Sequence, residues 1–262
     1  MIKCATWLDA SDLSADCSKV IPEFHGNEPL TDWAREYARI HAGRLRWDVD
    51  FLIQNYKFSN CLNIGGAPFI FEYLLKKARP DLAMVSFDLH PERYPEAGRV
   101  LDIKIVQIDI EKPDPAAKRT LGQFECVVFC EVFEHLRMNI LETISSLKDL
   151  LTADGILYLT TPNGVGLYAI WEALHGRTGS DPVNEWSKLT RIGHMGHVRE
   201  YSRKEVCDVF RQCGFVLETQ LYRRARRSGT VRSRMANVVK GLATSGLPWL
   251  GDELVFVFRK AP

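Results

Sequence analysis

The stretch Cys61-Leu62-Asn63-Ile64-Gly65-Gly66-Ala67-Pro68 constrains this chain more than any other. A buried strand runs there into a turn of small residues, then into a helical run from Phe69 to Lys77, then into a second apolar strand, Met84 to Phe87, that ends in Asp88. Strand, small-residue turn, helix and acid-ended strand describe a nucleotide-binding βαβ unit. Glycine lets the backbone approach a ligand closely, and the helix N-terminus offers unpaired N–H groups. The acid stands where ribose hydroxyls donate hydrogen bonds. By itself this pattern implies an adenosine-containing ligand.

The turn narrows that class. A nicotinamide dinucleotide site asks for G-x-G-x-x-G, with glycines serving a pyrophosphate. Here the turn reads Gly65-Gly66-Ala67-Pro68-Phe69, without the third glycine, and Pro68 and Phe69 crowd the helix entrance. No Lys followed by Ser or Thr comes after it, which excludes a P-loop. A cofactor without phosphates asks only for close backbone approach. The segment resembles motif I of the class I S-adenosylmethionine (SAM)-dependent methyltransferases, a strand ending in D-x-G-x-G-x-G. It departs in having Asn63 where Asp is usual and Ala67 where the middle loop Gly is usual. The resemblance implies SAM over Gly65, Gly66 and Ala67, its ribose on Asp88 beside Leu89, and its adenine near Asp109 and Ile110. Asn63 would reach the methionine end by hydrogen bonding, without a charge for the ammonium group.

With 262 residues and 46% hydrophobic content, the chain buries a sizeable core as one domain with decorations, or at most two small domains. A net charge of +1 exerts no global pull on nucleic acid or membrane. Seven cysteines show neither a C-x-x-C pair nor zinc-like spacing, and their odd number in apolar contexts suits a reducing compartment. The first residues carry Asp9, Asp12 and Asp16 and lack a signal-peptide core. No apolar run approaches the ~20 residues of a membrane span. The expectation is a cytoplasmic protein without a transmembrane segment.

Residues 1–30 read as a polar arm or lid, and 31–262 as the methyltransferase domain with insertions at 165–196 and 222–250. Thr31 to Gln54 has helical periodicity. Strands are expected at Cys61–Ile64, Met84–Phe87, Ile103–Ile108, Cys126–Cys130 and Ile156–Thr160, with a helix from Asn139 to Leu151 closed by Ala153-Asp154-Gly155. Ser202 N-caps a helix to Cys213, with Glu205 at the capping-box position. Phe215–Tyr222 and Glu253–Phe258 form a final antiparallel pair. Strands alternating with helices imply a doubly wound α/β sheet. The resemblance refines this to a Rossmann-like, seven-stranded, three-layer sandwich with a C-terminal antiparallel hairpin.

The fourth strand leads into Cys130-Glu131-Val132-Phe133-Glu134-His135-Leu136. It resembles the E-x-x-E-H-L segment of many small-molecule methyltransferases, where Glu131 would lie beside SAM. Two carboxylates and an imidazole within five residues are a candidate cation site if the segment starts a helix. The same spacing occurs in small-RNA 2′-O-methyltransferases and ubiquinone-pathway O-methyltransferases, where a downstream His joins a divalent ion. That implies a metal set of Glu131, Glu134, His135 and His197, with His194 a second candidate; the competing reading is that the segment only orients the loop beside SAM. His197-Val198-Arg199-Glu200-Tyr201-Ser202 resembles the H-V-R-x-Y-S signature of the same broad family. His is the natural base near neutral pH, so His197, with His194 and Glu134, is a candidate catalytic group for a hydroxyl acceptor. The alternative is that His197 and Arg199 anchor the loop and Tyr201 is core.

Residues 165–196 are long for a connection, and Tyr168, Trp171, His175 and Trp186 there would line or close an acceptor pocket, or belong to a decorating helix. Trp33 and Tyr37 would help close it. Between residues 223 and 240 lie Arg223, Arg224, Arg226, Arg227, Arg232, Arg234 and Lys240 with no acid, a candidate site for an anionic ligand (phosphates, a glycan or lipid headgroups) or else a solvated loop. The apolar residues from Val238 to Leu250 suit a membrane-surface contact. The reading is thus a SAM-dependent methyltransferase for a small-molecule or glycan acceptor, at oxygen. The alternatives are an RNA 2′-O-methyltransferase with a divalent metal, a nicotinamide-dependent oxidoreductase and a non-catalytic SAM-binding protein.

Overall fold

Alternation along the central strands decides the architecture. In the computed structural model, which describes residues 4–7, 15–17, 19–21, 28–112, 121–178, 180–192, 196–225 and 231–262, neighbouring residues of each central strand pack into two different cores. Cys61, Cys126, Val128, Ile156 and Val257 enter one, while Leu62, Val127, Phe129, Leu157 and Phe258 enter the other. Successive side chains point to opposite faces of a strand, so both faces of this sheet are covered.

The chain runs β1 (Cys4–Trp7), α1 (Glu28–Asn55), β2 (Asn60–Ile64), α2 (Ile70–Ala78), β3 (Ala83–Asp88), α3 (Ala97–Leu101), β4 (Lys104–Gln107) and β5 (Phe124–Cys130). It continues through α4 (Ile140–Leu147), β6 (Leu151–Pro162), α5 (Leu167–Leu174), α6 (Pro182–Ile192), α7 (Arg203–Gln212), β7 (Phe215–Ala225), α8 (Val231–Gly246) and β8 (Glu253–Lys260). Helices α1, α2 and α3 cover one face and α4 and α7 the other, which completes three layers. The strand order is β1-β7-β8-β6-β5-β2-β3-β4. Among the described strands only β8 runs antiparallel, between β6 and β7, as the expected C-terminal hairpin.

Strands β2 to β8 are the seven expected; an eighth, β1, comes from the N-terminal arm and pairs in parallel with β7 from Cys4↔Tyr222 to Trp7↔Ala225. Ala153-Asp154-Gly155, expected to close a helix, lies instead inside β6, opposite a register shift between Phe124 and Cys126. A Cβ on Gly155 would come within 2.9 Å of the Phe124 carbonyl oxygen, so this irregularity needs the glycine. Helices α5 and α6 lie between β6 and α7, and α8 lies between β7 and β8. Ser202 and Glu205 do form the capping box of α7: the Glu205 N–H donates to Ser202 Oγ (3.3 Å) and the Ser202 N–H to the Glu205 carboxylate (2.8 Å). Among the described residues, no helix is long and apolar enough to cross a membrane.

From β2 the chain moves outward to β3 and β4, then returns to the opposite flank of β2 as β5. Strand order therefore reverses between β2 and β5. In such sheets the carboxyl ends of the two strands at the reversal open a crevice. Here those ends carry the Gly65 turn and Glu131.

Candidate functional site

The turn after β2 is tied to its neighbour. The N–H groups of Gly65 and Gly66 both donate to the Phe87 carbonyl, at 2.9 and 3.2 Å. Gly65 has φ 78°, a left-handed conformation that favours glycine. A Cβ on Gly66 would lie 2.1 Å from Ser86 Oγ and 2.5 Å from Glu72 Oε1. Beneath the turn the buried Glu72 Oε1 accepts from Asn63 Nδ2 and Ser86 Oγ, each at 2.7 Å. Burial, and further the charge of Asp88, push the Glu72 carboxyl up to about 7 against those two hydrogen bonds. Asn63 thus spends its amide on Glu72 while still lining the crevice.

Asp88, at the end of β3, accepts from the Ala67 N–H (3.2 Å) through one oxygen and from the His90 N–H (2.8 Å) through the other. It therefore touches the glycine turn directly. Leu89 beside it is exposed. Asp109, just beyond β4, accepts from the Glu111 N–H at 3.0 Å, and Ile110 is half-buried. These four residues follow the outer strands, while the crevice itself is bounded by Tyr37 and Arg44 of α1, the Gly65–Pro68 turn, and Cys130 and Glu131.

Glu131 takes a left-handed backbone, φ 56°, as β5 ends. Its carboxylate accepts from Thr160 Oγ1 (2.9 Å) and pairs with Arg44 Nη1 (2.6 Å). Arg44, itself buried, also donates to Tyr37 Oη at 3.2 Å and lies 3.8 Å from Glu253. Glu253 pairs with Arg223 (2.6 Å), and Arg223 pairs with Asp48, which accepts from Tyr158 Oη. Burial would raise the Glu131 carboxyl, yet the charges of Arg44 and Arg223 hold it below its ordinary value. The sequence reading missed Arg44 and Asp48. Their signal was two charged residues, one turn apart, within a helix whose Ala38, Ala42, Leu45 and Val49 form a buried stripe.

This network corrects two expectations. Arg223 is fully buried between Asp48 and Glu253, so it leaves the candidate anion site. Lys240 likewise pairs with Asp252 at 2.8 Å. Arg226 and Arg227 lie outside the described residues. Glu131 also leaves the candidate metal set, because Arg44 and Thr160 engage its carboxylate.

The other three members of that set do come together, with one ligand atom each within 4.8 Å of the others. Glu134 is fully buried; Oε2 accepts from Thr161 Oγ1 at 2.9 Å, while Oε1 has no hydrogen-bond partner. Burial and the Glu131 charge push its carboxyl up to about 8. His135 Nδ1 faces the Gly196 carbonyl (3.0 Å) and His197 Nδ1 faces the Glu200 carboxylate (3.1 Å). Both contacts require Nδ1–H in the neutral ring, and each Nε2 lies 3.9 Å from Glu134 Oε1. Burial alone would lower the His197 pKa, but the Glu200 hydrogen bond and the Glu134 charge raise it. His194 lies outside the described residues.

The H-V-R segment is also an anchor: the Val198 and Arg199 N–H groups donate to the Glu134 carbonyl, at 2.8 and 3.2 Å. Tyr201 is buried against Phe133 with ring centroids 4.5 Å apart, as a core residue. Helix α6 joins this corner through Glu185, whose carboxylate accepts from the His197 N–H at 2.8 Å. Trp171 and Trp186, on α5 and α6, are exposed. Tyr37 lines the crevice, and Trp33 packs on it at 5.7 Å.

Residues 35–220 match the family described as a methyltransferase domain. No curated protein matches the chain in sequence. Among solved structures the chain is similar to the mitomycin 7-O-methyltransferase MmcR, at 14% identity and a TM-score of 0.56, covering 93% of this chain and 60% of that one. It is similar to the neocarzinostatin-biosynthesis O-methyltransferase NcsB1, solved with S-adenosylhomocysteine (SAH) and 1,4-dihydroxy-2-naphthoic acid, at 12% identity and 0.51, covering 95% and 60%. It is also similar to the N-methyltransferase NodS from Bradyrhizobium japonicum WM9 in complex with SAH, at 14% and 0.52, covering 94% and 99%. The chain thus spans about 60% of the length of the first two and nearly all of the third. At these identities the likeness is one of fold.

Proposed function

The chain belongs to the methyltransferase-domain family, and from that premise we propose that it uses SAM to methylate a small-molecule or sugar acceptor at oxygen. The observation that carries this reading is the crevice at the strand-order reversal, bounded by a turn whose Gly66 leaves no room for a Cβ and to which Asp88 is hydrogen-bonded. Such a turn fits a ligand that needs close backbone approach and no phosphate cradle. SAM supplies a methyl group on a sulfonium, whose departure as a neutral thioether makes transfer favourable.

The chain's own residues bind, orient and move a proton. Gly65, Gly66 and Ala67 would present backbone to the cofactor, Asp88 would accept from ribose hydroxyls, and Leu89, Asp109 and Ile110 would hold the adenine. Asn63 and Glu131 bound the methionine end. His197 Nε2 takes the acceptor hydroxyl proton as the oxygen–methyl bond forms, while Glu200 fixes Nδ1–H and so the tautomer. Positioning supplies much of the remaining rate. Helix α6 borders the acceptor side through Glu185, which holds the His197 N–H.

A second reading is favoured by one geometric fact: the Nε2 atoms of two imidazoles each lie 3.9 Å from a buried carboxylate oxygen that has no hydrogen-bond partner. Glu134, His135 and His197 fit a divalent ion with open positions, and the Gly196 carbonyl and Glu200 would orient the two rings from behind. An ion there would lower the pKa of an acceptor hydroxyl.

A screen with methyl-labelled SAM over phenols, sugars, RNA and amines, with and without EDTA, tests both readings. Label on phenolic or sugar hydroxyls is expected. Label on amines alone would overturn the choice of oxygen, and a loss with EDTA that a divalent ion restores would favour the metal.

A further inference from the structure

Helix α8 turns apolar side chains outward over its described part. Among its described side chains, Lys240 ties the helix to the sheet end through Asp252 (2.8 Å), and Thr244 one turn on is buried. Its outer side is apolar, with Val238 62% and Leu242 74% exposed one turn apart. The exposed Leu247 and Trp249 extend the apolar surface into the turn after the helix. In the sequence the same apolar spacing begins earlier, at Val231 and Met235. A surface helix normally turns its apolar stripe inward, so an outward stripe above a polar anchor marks a docking surface.

Charge selects the occupant. From Leu221 to Gly251 the sequence contains no Asp or Glu, yet it holds six arginines and one lysine, of which Arg223 and Lys240 are paired within the fold. The whole chain carries only +1, so this is a local concentration of cations. A second copy docked here by a two-fold axis would set those cations against themselves, which disfavours self-association. Anionic lipid headgroups complement them. A sequence that joins apolar residues at helical spacing to a run of arginines, with a tryptophan at its end, has the composition of a helix that lies in a membrane interface.

We propose that α8 and the turn that follows it dock this protein on an anionic lipid surface. The surface adjoins the candidate site: Asn163, at the carboxyl end of β6, donates from Nδ2 to the carbonyls of Trp249 (2.9 Å) and Gly251 (2.7 Å). β6 lies next to β5, whose own carboxyl end carries Glu131. Docking through α8 therefore brings the crevice edge of the sheet towards the lipid.

The test is cosedimentation of the full chain with phosphatidylcholine vesicles, with and without an equal part of phosphatidylglycerol, at low and high salt. Binding is expected only to the anionic vesicles and is weakened by salt. Val238→Asp with Leu242→Asp should lower it at least about tenfold, the cost of two charges on a lipid-facing stripe. Arg226→Gln and Arg227→Gln should each lower it about fivefold. Both stripe substitutions fall on exposed positions, and unchanged thermal unfolding confirms that the variants fold. Failure to bind anionic vesicles, equal binding to neutral ones, or equal binding by the variants would overturn the proposal. So would a dimer in sedimentation velocity that Val238→Asp with Leu242→Asp dissolves, which would assign the face to a second copy. None of these readouts depends on SAM, so they stand or fall apart from the proposed activity.

Discussion

Arg44 of α1 and Glu131 at the end of β5 form an ion pair of 2.6 Å with the arginine side chain 2% exposed, and through it a helix and a strand meet at the wall of the crevice. Removing one partner of a buried pair leaves the other charge uncompensated. Arg44→Ala should therefore destabilise the fold by about 3–5 kcal/mol, measured by urea unfolding. A loss below about 1 kcal/mol would show that water reaches Glu131 and that the pair is not an element of the core.

The turn should tolerate no added carbon at Gly66. A Cβ there meets Ser86 Oγ at 2.1 Å and Glu72 Oε1 at 2.5 Å, whereas at Gly246 it meets nothing within 4 Å. Gly66→Ala should weaken SAH binding by more than about tenfold and lower the melting temperature, since overpacking costs about 1–3 kcal/mol. Gly246→Ala should change neither. Wild-type affinity in Gly66→Ala would remove the turn from the cofactor site.

Glu72 makes stability depend on pH in an unusual direction. Its carboxyl is raised from 4.5 to about 7, so between those values the folded protein holds a proton that the unfolded chain releases. Its contribution is complete below pH 4.5, declines as pH rises towards 7, and is then constant at a cost of about 3 kcal/mol. Glu72→Gln keeps an oxygen for Asn63 and Ser86 and removes the titration. Its stability relative to wild type should therefore rise from pH 5 to pH 8, followed by chemical denaturation. A difference independent of pH would mean that Glu72 is ionised in the fold.

His197 must be neutral to accept a proton, and the Glu200 and Glu134 carboxylates raise its pKa above 6.5. The turnover rate should climb with pH through a midpoint above 6.5. Glu200→Gln removes the hydrogen bond that favours the imidazolium, so that limb should move to lower pH. His197→Ala should leave SAH affinity unchanged and cut turnover about 10²-fold or more. An unaltered rate in His197→Ala would reduce His197 to the anchoring role that its Val198 and Arg199 neighbours already play.

Local pattern carried much of the fold. The β2–turn–α2–β3 unit and the capping box of Ser202 and Glu205 both depend on residues close in sequence. What stayed hidden depends on distant partners. The four residues of β1 become a strand only because β7 offers a free edge. Arg223 reads as part of a basic run, but its partners Asp48 and Glu253 arrive from α1 and β8. Glu131 and Glu134 stand three apart in a motif, yet the left-handed backbone at Glu131 sends one carboxylate to Arg44 while the other faces two histidines. Spacing names such residues; only the fold assigns their neighbours.

The central claim is that the Gly65–Ala67 turn and Asp88 hold SAM, and calorimetric titration with SAH tests it most directly. The account predicts micromolar binding of SAH, no binding of NAD, and a loss of about tenfold or more in Asp88→Ala, the worth of a hydrogen bond to a charged group. No heat with SAH from a folded wild-type protein, or equal affinity in Asp88→Ala, would contradict it.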